Sequence, residues 1–214
     1  MILIKKQSEP AALTGYRQQL AASYAGLPQT IKDDILESLL AEQGCICAYC
    51  MKRISKNEMT IEHYIAQSVD ASKALTYQNM LGVCLGNRGN RESEQTCDAH
   101  RGNTVLNIDP LNSAKIQRIK YRSDGTIYSE DPNINKDLNE VLNLNCDVLE
   151  VSLKRNRKAA LDAFISWASR YKANGGLWTK EFLRKAKKRL ESPDQRTPYC
   201  GIIYANIDRR LNRG

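Results

Sequence analysis

Apolar positions over the first 44 residues recur at helical spacing. Leu13, Tyr16 and Leu20 outline a short, weakly amphipathic helix within residues 9–24, closed near Gly26-Leu27-Pro28. Ile31, Ile35, Leu36, Leu39 and Leu40 form a clearer stripe that stops at Gly44, and Thr30 with Asp33 three residues on reads as a capping-box-like start. From Cys45 to about Pro110 the texture changes to turns, short strands and polar residues. Residues 116–128 predict a hairpin, with Ile116, Ile119 and Tyr121 before Ser123-Asp124-Gly125 and Ile127 and Tyr128 after it. From Asp137 the pattern predicts helices: Leu161, Phe164, Ile165 and Ala168 at core spacing, a Gly175-Gly176 break, then a basic helix from Thr179 to Leu190. The expected division is a helical segment 1–44, a chemical core 45–111, and a hairpin plus basic helical subdomain 112–214.

Composition narrows the class. With 42% apolar and 26% charged residues the chain is globular, and no apolar run approaches the roughly 18 residues a membrane-spanning helix needs. A cytoplasmic location is the expectation. In a reducing compartment seven cysteines read as metal ligands plus spares rather than a disulfide framework. The net charge of +8 is unevenly spread: residues 1–149 carry 16 Lys+Arg against 18 Asp+Glu, residues 150–214 carry 16 against 6. That asymmetry points to a polyanion or an acidic protein partner for the C-terminal third.

The chemistry concentrates in the middle. Cys47-Ala48-Tyr49-Cys50 is a CxxC knuckle, whose spacing lets two thiolates reach one tetrahedral Zn²⁺ at about 2.3 Å each. Cys84 and Cys97 would complete a four-thiolate site. An alternative set replaces Cys84 with His100, because Cys97-Asp98-Ala99-His100 is itself a CxxH spacing. Cys45, Cys146 and Cys200 lie in or beside apolar helical patterns and read as small core residues. Between the halves of the zinc site stand Thr60-Ile61-Glu62-His63-Tyr64, of strand composition, and Tyr77-Gln78-Asn79-Met80-Leu81-Gly82-Val83-Cys84. Glu62 and His63 would point to opposite faces of a strand unless it ends or bends there.

The order of these motifs, CAYC, IEHY, YQNML and CDAHRGN, resembles the HNH endonuclease family in its zinc-stapled branch. The resemblance covers about residues 45–110 and implies an α+β fold: a small ββα-metal core between N-terminal helices and a C-terminal helical subdomain. The wider context, including Lys5-Lys6 and Glu9-Pro10, looks most like the nuclease subunits that accompany an ATPase in Septu anti-phage systems and in some retrons. An ATPase subunit is thus the implied protein partner, and nucleic acid, DNA or tRNA, the implied substrate.

Carried over residue by residue, the resemblance makes His63 the general base that takes a proton from the attacking water. Glu62, where the family more often has Asp, would ligate a catalytic Mg²⁺ or Mn²⁺ through oxygen. Asn79 would orient the loop that holds the base. After the last zinc cysteine the family commonly has His, whereas this chain has Asp98, with His100 two residues later. Two residues on a helix are about 200° apart, so only one can serve the catalytic ion; Asp98 is the expected ligand, His100 lying on the Cys97 face. Arg101 falls where the family often has Lys or Arg and would contact a phosphate. Two other functions fit the same residues: a zinc-stabilised binding module with a decayed site, and a stand-alone restriction-type nuclease.

Overall fold

A computed structural model describes residues 1–148, 152–171, 178–191 and 195–212. The Gly175-Gly176 break lies outside the described residues. Helix α1 (Ala11–Arg17) buries Leu13 and Tyr16. It is shorter than its pattern predicts: the chain leaves the helix at Gln18, and Leu20 is fully exposed instead of joining the stripe. Helix α2 (Gln29–Gln43) starts one turn-position earlier than the capping reading, after Pro28, with no side-chain cap; Asp33 instead accepts a bond from the Gln29 amide at 2.8 Å. Its end is as read, because Gly44 takes the left-handed φ of 65° that closes a helix at little cost.

The centre of the fold is a two-stranded antiparallel ladder, β1 (Met59–His63) and β2 (Met80–Cys84), with Glu62 opposite Leu81 and His63 opposite Met80. Helix α3 (Cys97–Arg101) packs against β2, completing a ββα unit. Helix α2 is fastened to this unit through one side chain. The Gln43 amide accepts from Gly82 N–H and donates to Gly82 C=O, both at 2.7 Å, and also donates to the Ile46 carbonyl at 2.9 Å. A Cβ at 82 would stand 2.6 Å from the Met59 methyl and 3.2 Å from the Gln43 amide nitrogen, so the bare glycine lets both side chains lie against the strand.

Beyond α3, a short helix α4 (Ser113–Ile116) precedes the hairpin, β3 (Ile119–Tyr121) and β4 (Ile127–Ser129), in register Ile119 with Ser129. Ile116, expected in the first strand, ends α4. The stretch after Asp131 begins with helix α5 (Pro132–Lys136), capped by Asp131, and runs into a π-turn at Asp137–Val141 before the long helix α6 (Leu153–Tyr171). Helices α7 (Lys180–Leu190) and α8 (Cys200–Asn212) follow, α7 capped by the Thr179 hydroxyl accepting from Phe182 N–H. Helix α8 buries Ile202, Ile203 and Ile207. The C-terminal helices reach the middle of the chain directly, with Tyr199 N–H bonded to the Met51 carbonyl at 3.0 Å. Buried residues from 1–44, 45–111 and 112–214 meet in one hydrophobic core. The architecture is α+β. Among the described residues no helix is long and apolar enough to cross a membrane.

Candidate functional site

The knuckle is built by backbone bonds before any metal is considered. Cys47 N–H bonds the Lys52 carbonyl at 2.9 Å, Met51 N–H returns to the Cys47 carbonyl at 3.0 Å, and Met51 takes a φ of 64° to close the turn. Ala48 N–H then joins the knuckle to β2 through the Gly82 carbonyl at 3.0 Å. Cys84 ends β2, and Cys97 opens α3 after a twelve-residue excursion, 85–96, whose two ends are tied by Thr96 N–H on the Gly86 carbonyl at 2.9 Å. Position 86 needs glycine: φ is +58° and a Cβ would meet the Thr96 carbonyl oxygen at 2.0 Å.

These elements bring Cys47, Cys50, Cys84 and Cys97 together, fully or nearly fully buried, their sulfurs within 4.8 Å of one another. The Sγ separations are 3.9 Å for Cys47–Cys97, 3.7 Å for Cys50–Cys84 and 3.8 Å for Cys84–Cys97. A regular tetrahedron of thiolates at about 2.3 Å from zinc has edges of about 3.8 Å. The donor set therefore fits a structural Zn²⁺. The thiols perturb one another strongly. Burial pushes Cys47 up, but hydrogen bonds from Cys50, Cys84 and Cys97 more than reverse this, while Cys50 and Cys97 are held well above the ordinary range by their neighbours. A divalent cation at the centre removes the conflict by stabilising all four thiolates.

The alternative set with His100 is not formed. His100 Nδ1 donates to the Val141 carbonyl at 3.0 Å, drawn toward the π-turn, and Cys84 fills the fourth corner. Of the three remaining cysteines, Cys146 and Cys200 are buried as expected, whereas Cys45 is partly exposed and left-handed, following the helix-ending Gly44.

Beside the thiol cluster lies a second, polar group. Strand β1 ends at His63, and Glu62 and His63 are both buried, in different surroundings. Glu62 faces the knuckle, accepting from Tyr49 Oη at 3.0 Å and ion-pairing with Arg101, and has Asp98 within hydrogen-bonding reach. Burial, then the nearby charge of Asp98, raise Glu62 to about 8 against the opposing pull of Arg101. His63 lies against the edge of the Tyr24 ring, centroids 4.5 Å apart. Its Nε2 bonds the Ala74 carbonyl at 2.8 Å, so that nitrogen carries the hydrogen and the neutral ring keeps its lone pair on Nδ1, where the Gln67 amide donates at a long 3.4 Å. Burial lowers the imidazole below 6.5, partly offset by the Ala74 bond and the Asp98 charge.

Asn79 ties down the loop that carries these contacts. Its Oδ1 accepts from Ile65 N–H at 2.7 Å, and its Nδ2 donates to the carbonyls of Ile65 at 3.0 Å and Lys73 at 3.3 Å. Asp98, on the first turn of α3, is paired with Arg88 of the 85–96 excursion, Nη2–Oδ2 2.7 Å. Asp98 and His100 thus diverge, as their spacing on a helix requires.

Arg101 corrects the expectation of a phosphate contact. It is buried, and its guanidinium is spent inside the protein: Nε on the Thr104 carbonyl at 2.9 Å, Nη1 on Tyr49 Oη at 3.0 Å, on Glu62 and on the His63 carbonyl at 3.3 Å, Nη2 on the Tyr64 carbonyl at 2.6 Å. A buried carboxylate beside a second one needs a counter-charge, and α3 delivers this arginine to it. Tyr49 was not singled out by the sequence. Its position between the two knuckle cysteines was the available signal, because a side chain there is fixed by the metal site and aimed at β1.

Two adjacent carboxylates, one raised well above its ordinary range, suit a hard cation. Mg²⁺ commonly takes only one or two carboxylates and completes its shell with water and substrate phosphate. Glu62 and Asp98 fit that donor set. Among the described residues no second group of three ligating side chains converges besides the four thiols.

No protein-family profile matches the chain. Over 102 residues it is 29% identical to a protein of Vibrio cholerae serotype O1 biovar El Tor that bears the name Retron Vc95 putative HNH endonuclease; the match covers 46% of this chain and 48% of that protein. The chain spans about half the length of the relative it matches. The likeness supports an HNH-type nuclease at the level of the family, as does the α+β core with its four-cysteine cluster.

Proposed function

We propose that this protein is a metal-dependent HNH endonuclease that hydrolyses phosphodiester bonds in nucleic acid, and that it works as the nuclease subunit of an anti-phage complex of PtuB type, under the control of a PtuA-like ATPase. The observation that carries the nuclease reading is the convergence of Glu62, His63, Asn79 and Asp98 on one ββα unit stapled by four thiols. The defence role rests on motif order and on a relative whose name places it in a retron.

His63 holds the chemistry in this reading. With its hydrogen fixed on Nε2 by the Ala74 carbonyl, Nδ1 accepts the proton of an attacking water, which takes the place of the long Gln67 contact. The lowered pKa keeps the ring neutral at pH 7, ready to accept. Asn79 does not touch the reacting atoms; it is a positioning residue that holds Ile65 and Lys73, and through them the chain on either side of the His63 contacts. Glu62 and Asp98 would hold the catalytic Mg²⁺ or Mn²⁺, which when bound stabilises the charge that develops on the phosphoryl and leaving oxygens. Tyr49, its own pKa pushed well above 10 by burial and by Glu62, stays protonated and keeps donating to Glu62.

The test is His63→Ala. Zinc content and melting temperature should remain near those of the unaltered protein, while cleavage of plasmid DNA or tRNA falls by roughly 10² or more, the usual worth of a positioned base. Full cleavage by this variant would sink the mechanism.

A further inference from the structure

The reassignment of Arg101 leaves the candidate site without a phosphate ligand, and the structure supplies another. Arg88 stands in the excursion between the last two zinc cysteines. It has a side chain 58% exposed, and its guanidinium lies 2.7 Å from Asp98, which is 18% exposed. It differs from Arg101 in each relevant respect. Arg101 is buried and uses all three of its nitrogens on acceptors of its own chain, whereas Arg88 makes one ion pair through one terminal nitrogen. A guanidinium has five N–H donors in a fork suited to phosphate oxygens, so most of this one faces outward.

Its surroundings give it somewhere to go. Arg88 borders a cleft of about 310 Å³, shared with Lys52, Glu58, Asn87 and Asn156. Its loop is held along its length, by Thr96 on Gly86, by the Asn87 side chain on the Glu94 carbonyl at 2.8 Å, by the Gln95 side chain on the Asn90 carbonyl at 2.8 Å and by Asn143 on the Gln95 carbonyl at 2.8 Å, so a change of partner falls to the Arg88 side chain alone. The guanidinium can therefore change partner without disturbing the thiol cluster.

We propose that Arg88 is the phosphate-binding residue of this site and that Asp98 is its resting partner. This inference rests on the nuclease reading above. A divalent cation and the Arg88 guanidinium both seek the Asp98 carboxylate. When the cation takes Asp98, Arg88 is released beside the place where the cation collects substrate, and its fork closes on the phosphate flanking the cut. Metal binding and phosphate binding would thus be coupled through one carboxylate, with arginine and cation exchanging places on it.

Two measurements test this, one of them independent of cleavage. Without nucleic acid, Arg88→Ala should bind Mn²⁺ about two- to five-fold more tightly than the parent, read by Mn²⁺ paramagnetic resonance, because the competing ion pair of an exposed arginine is worth up to about 1 kcal/mol. On whichever of a DNA duplex or a tRNA the parent cleaves, His63→Ala and His63→Ala/Arg88→Ala are compared for binding with Mn²⁺ present. The double variant should lose about one unit of salt dependence, one phosphate contact, and Arg88→Lys should restore much of the slope. Unchanged Mn²⁺ affinity together with an unchanged salt slope overturns the proposal. A drop in melting temperature without either effect would make Arg88 a loop strut, which also overturns it. If the parent cuts neither substrate, the nuclease reading fails by itself, and the Mn²⁺ titration still decides whether Arg88 and the cation compete.

Discussion

The thiol cluster and the carboxylate–histidine group lie side by side on the same ββα unit, yet they are finished to different degrees. The four sulfurs stand at tetrahedral spacing, and the hydrogen bonds around them belong to backbone turns. The polar group is assembled but occupied: Arg101 on Glu62, Arg88 on Asp98, Tyr24 and Gln67 on His63. A structural site is served by closure, since every ligand is permanent. A site that exchanges water, cation and substrate needs protein groups as placeholders, or its buried charges would stand uncompensated. In the proposed reading, the contrast separates what holds the fold from what would act on a ligand.

The strongest way to break the contrast is to remove the closed site. Cys50→Ser should leave a largely unfolded protein, and metal analysis of the parent should find about one tightly held zinc per chain. Structural zinc contributes folding free energy on the order of 10 kcal/mol in small modules, more than most domains have to spare. Well-folded parent protein without zinc would refute this. Because Tyr49 sits inside the knuckle, loss of zinc should also displace the donor that holds Glu62.

The open site should reveal itself through pH. Glu62 is raised from 4.5 to about 8, so the native state keeps a proton between those values that the unfolded chain has lost. Stability must then fall as pH rises through that window and level off above about 8. The raw size is about 3–5 kcal/mol, reduced in practice by relaxation and solvent. Glu62→Gln should flatten this part of the pH–stability curve, and Mn²⁺, added without a chelator that would strip zinc, should flatten it also by favouring the carboxylate. A Glu62→Gln curve that parallels the parent's would show that the two carboxylates do not interact as described.

How far the sequence foretold these two sites follows from the same contrast. CxxC spacing and two later cysteines point to a zinc set because few side chains other than cysteine and histidine close such a site. The choice between Cys84 and His100 needed the fold, which puts Cys84 in the fourth corner and His100 Nδ1 on the Val141 carbonyl. That Glu62, His63, Asn79 and Asp98 belong to one group was expected from motif order, and their neighbours were not. An arginine next to a motif can turn in or out, and Arg101 turns in because Glu62 is buried, a property of tertiary packing. Leu20 and Thr30 failed for a local reason: periodicity does not reveal where a weak helix stops, and Pro28 with its fixed φ starts α2 without a hydroxyl cap.

The smallest expected effect lies away from both sites, on α7. There Lys187 is paired with Asp208 and Lys185 with Glu181, while Lys180, Arg184 and Lys188 recur every fourth residue on the exposed side, opposite buried Leu183 and Ala186. If this row follows a phosphate backbone, changing the three to alanine should reduce the salt slope of duplex binding by up to about 2.7 units, with folding and zinc unaffected. An unchanged slope accompanied by lost ATPase association would assign α7 to the protein partner.

The leading segment has one more implication, which concerns the time at which the protein becomes itself. Ile4 N–H is bonded to the Pro110 carbonyl at 2.9 Å, and Lys6 reaches Glu42, the Met80 carbonyl and the face of the Tyr77 ring. Residues 4–6 therefore find their last partners only after Pro110 has emerged from the ribosome. At about 5–20 residues per second that is a wait of roughly 5–20 s. Throughout it, the segments that form α2 and the cysteine knuckle lack the partners that cover one flank. Zinc capture is possible only after Cys97 has been made, so closure of the metal site and seating of the leading segment should come almost together, late in synthesis and as one cooperative event.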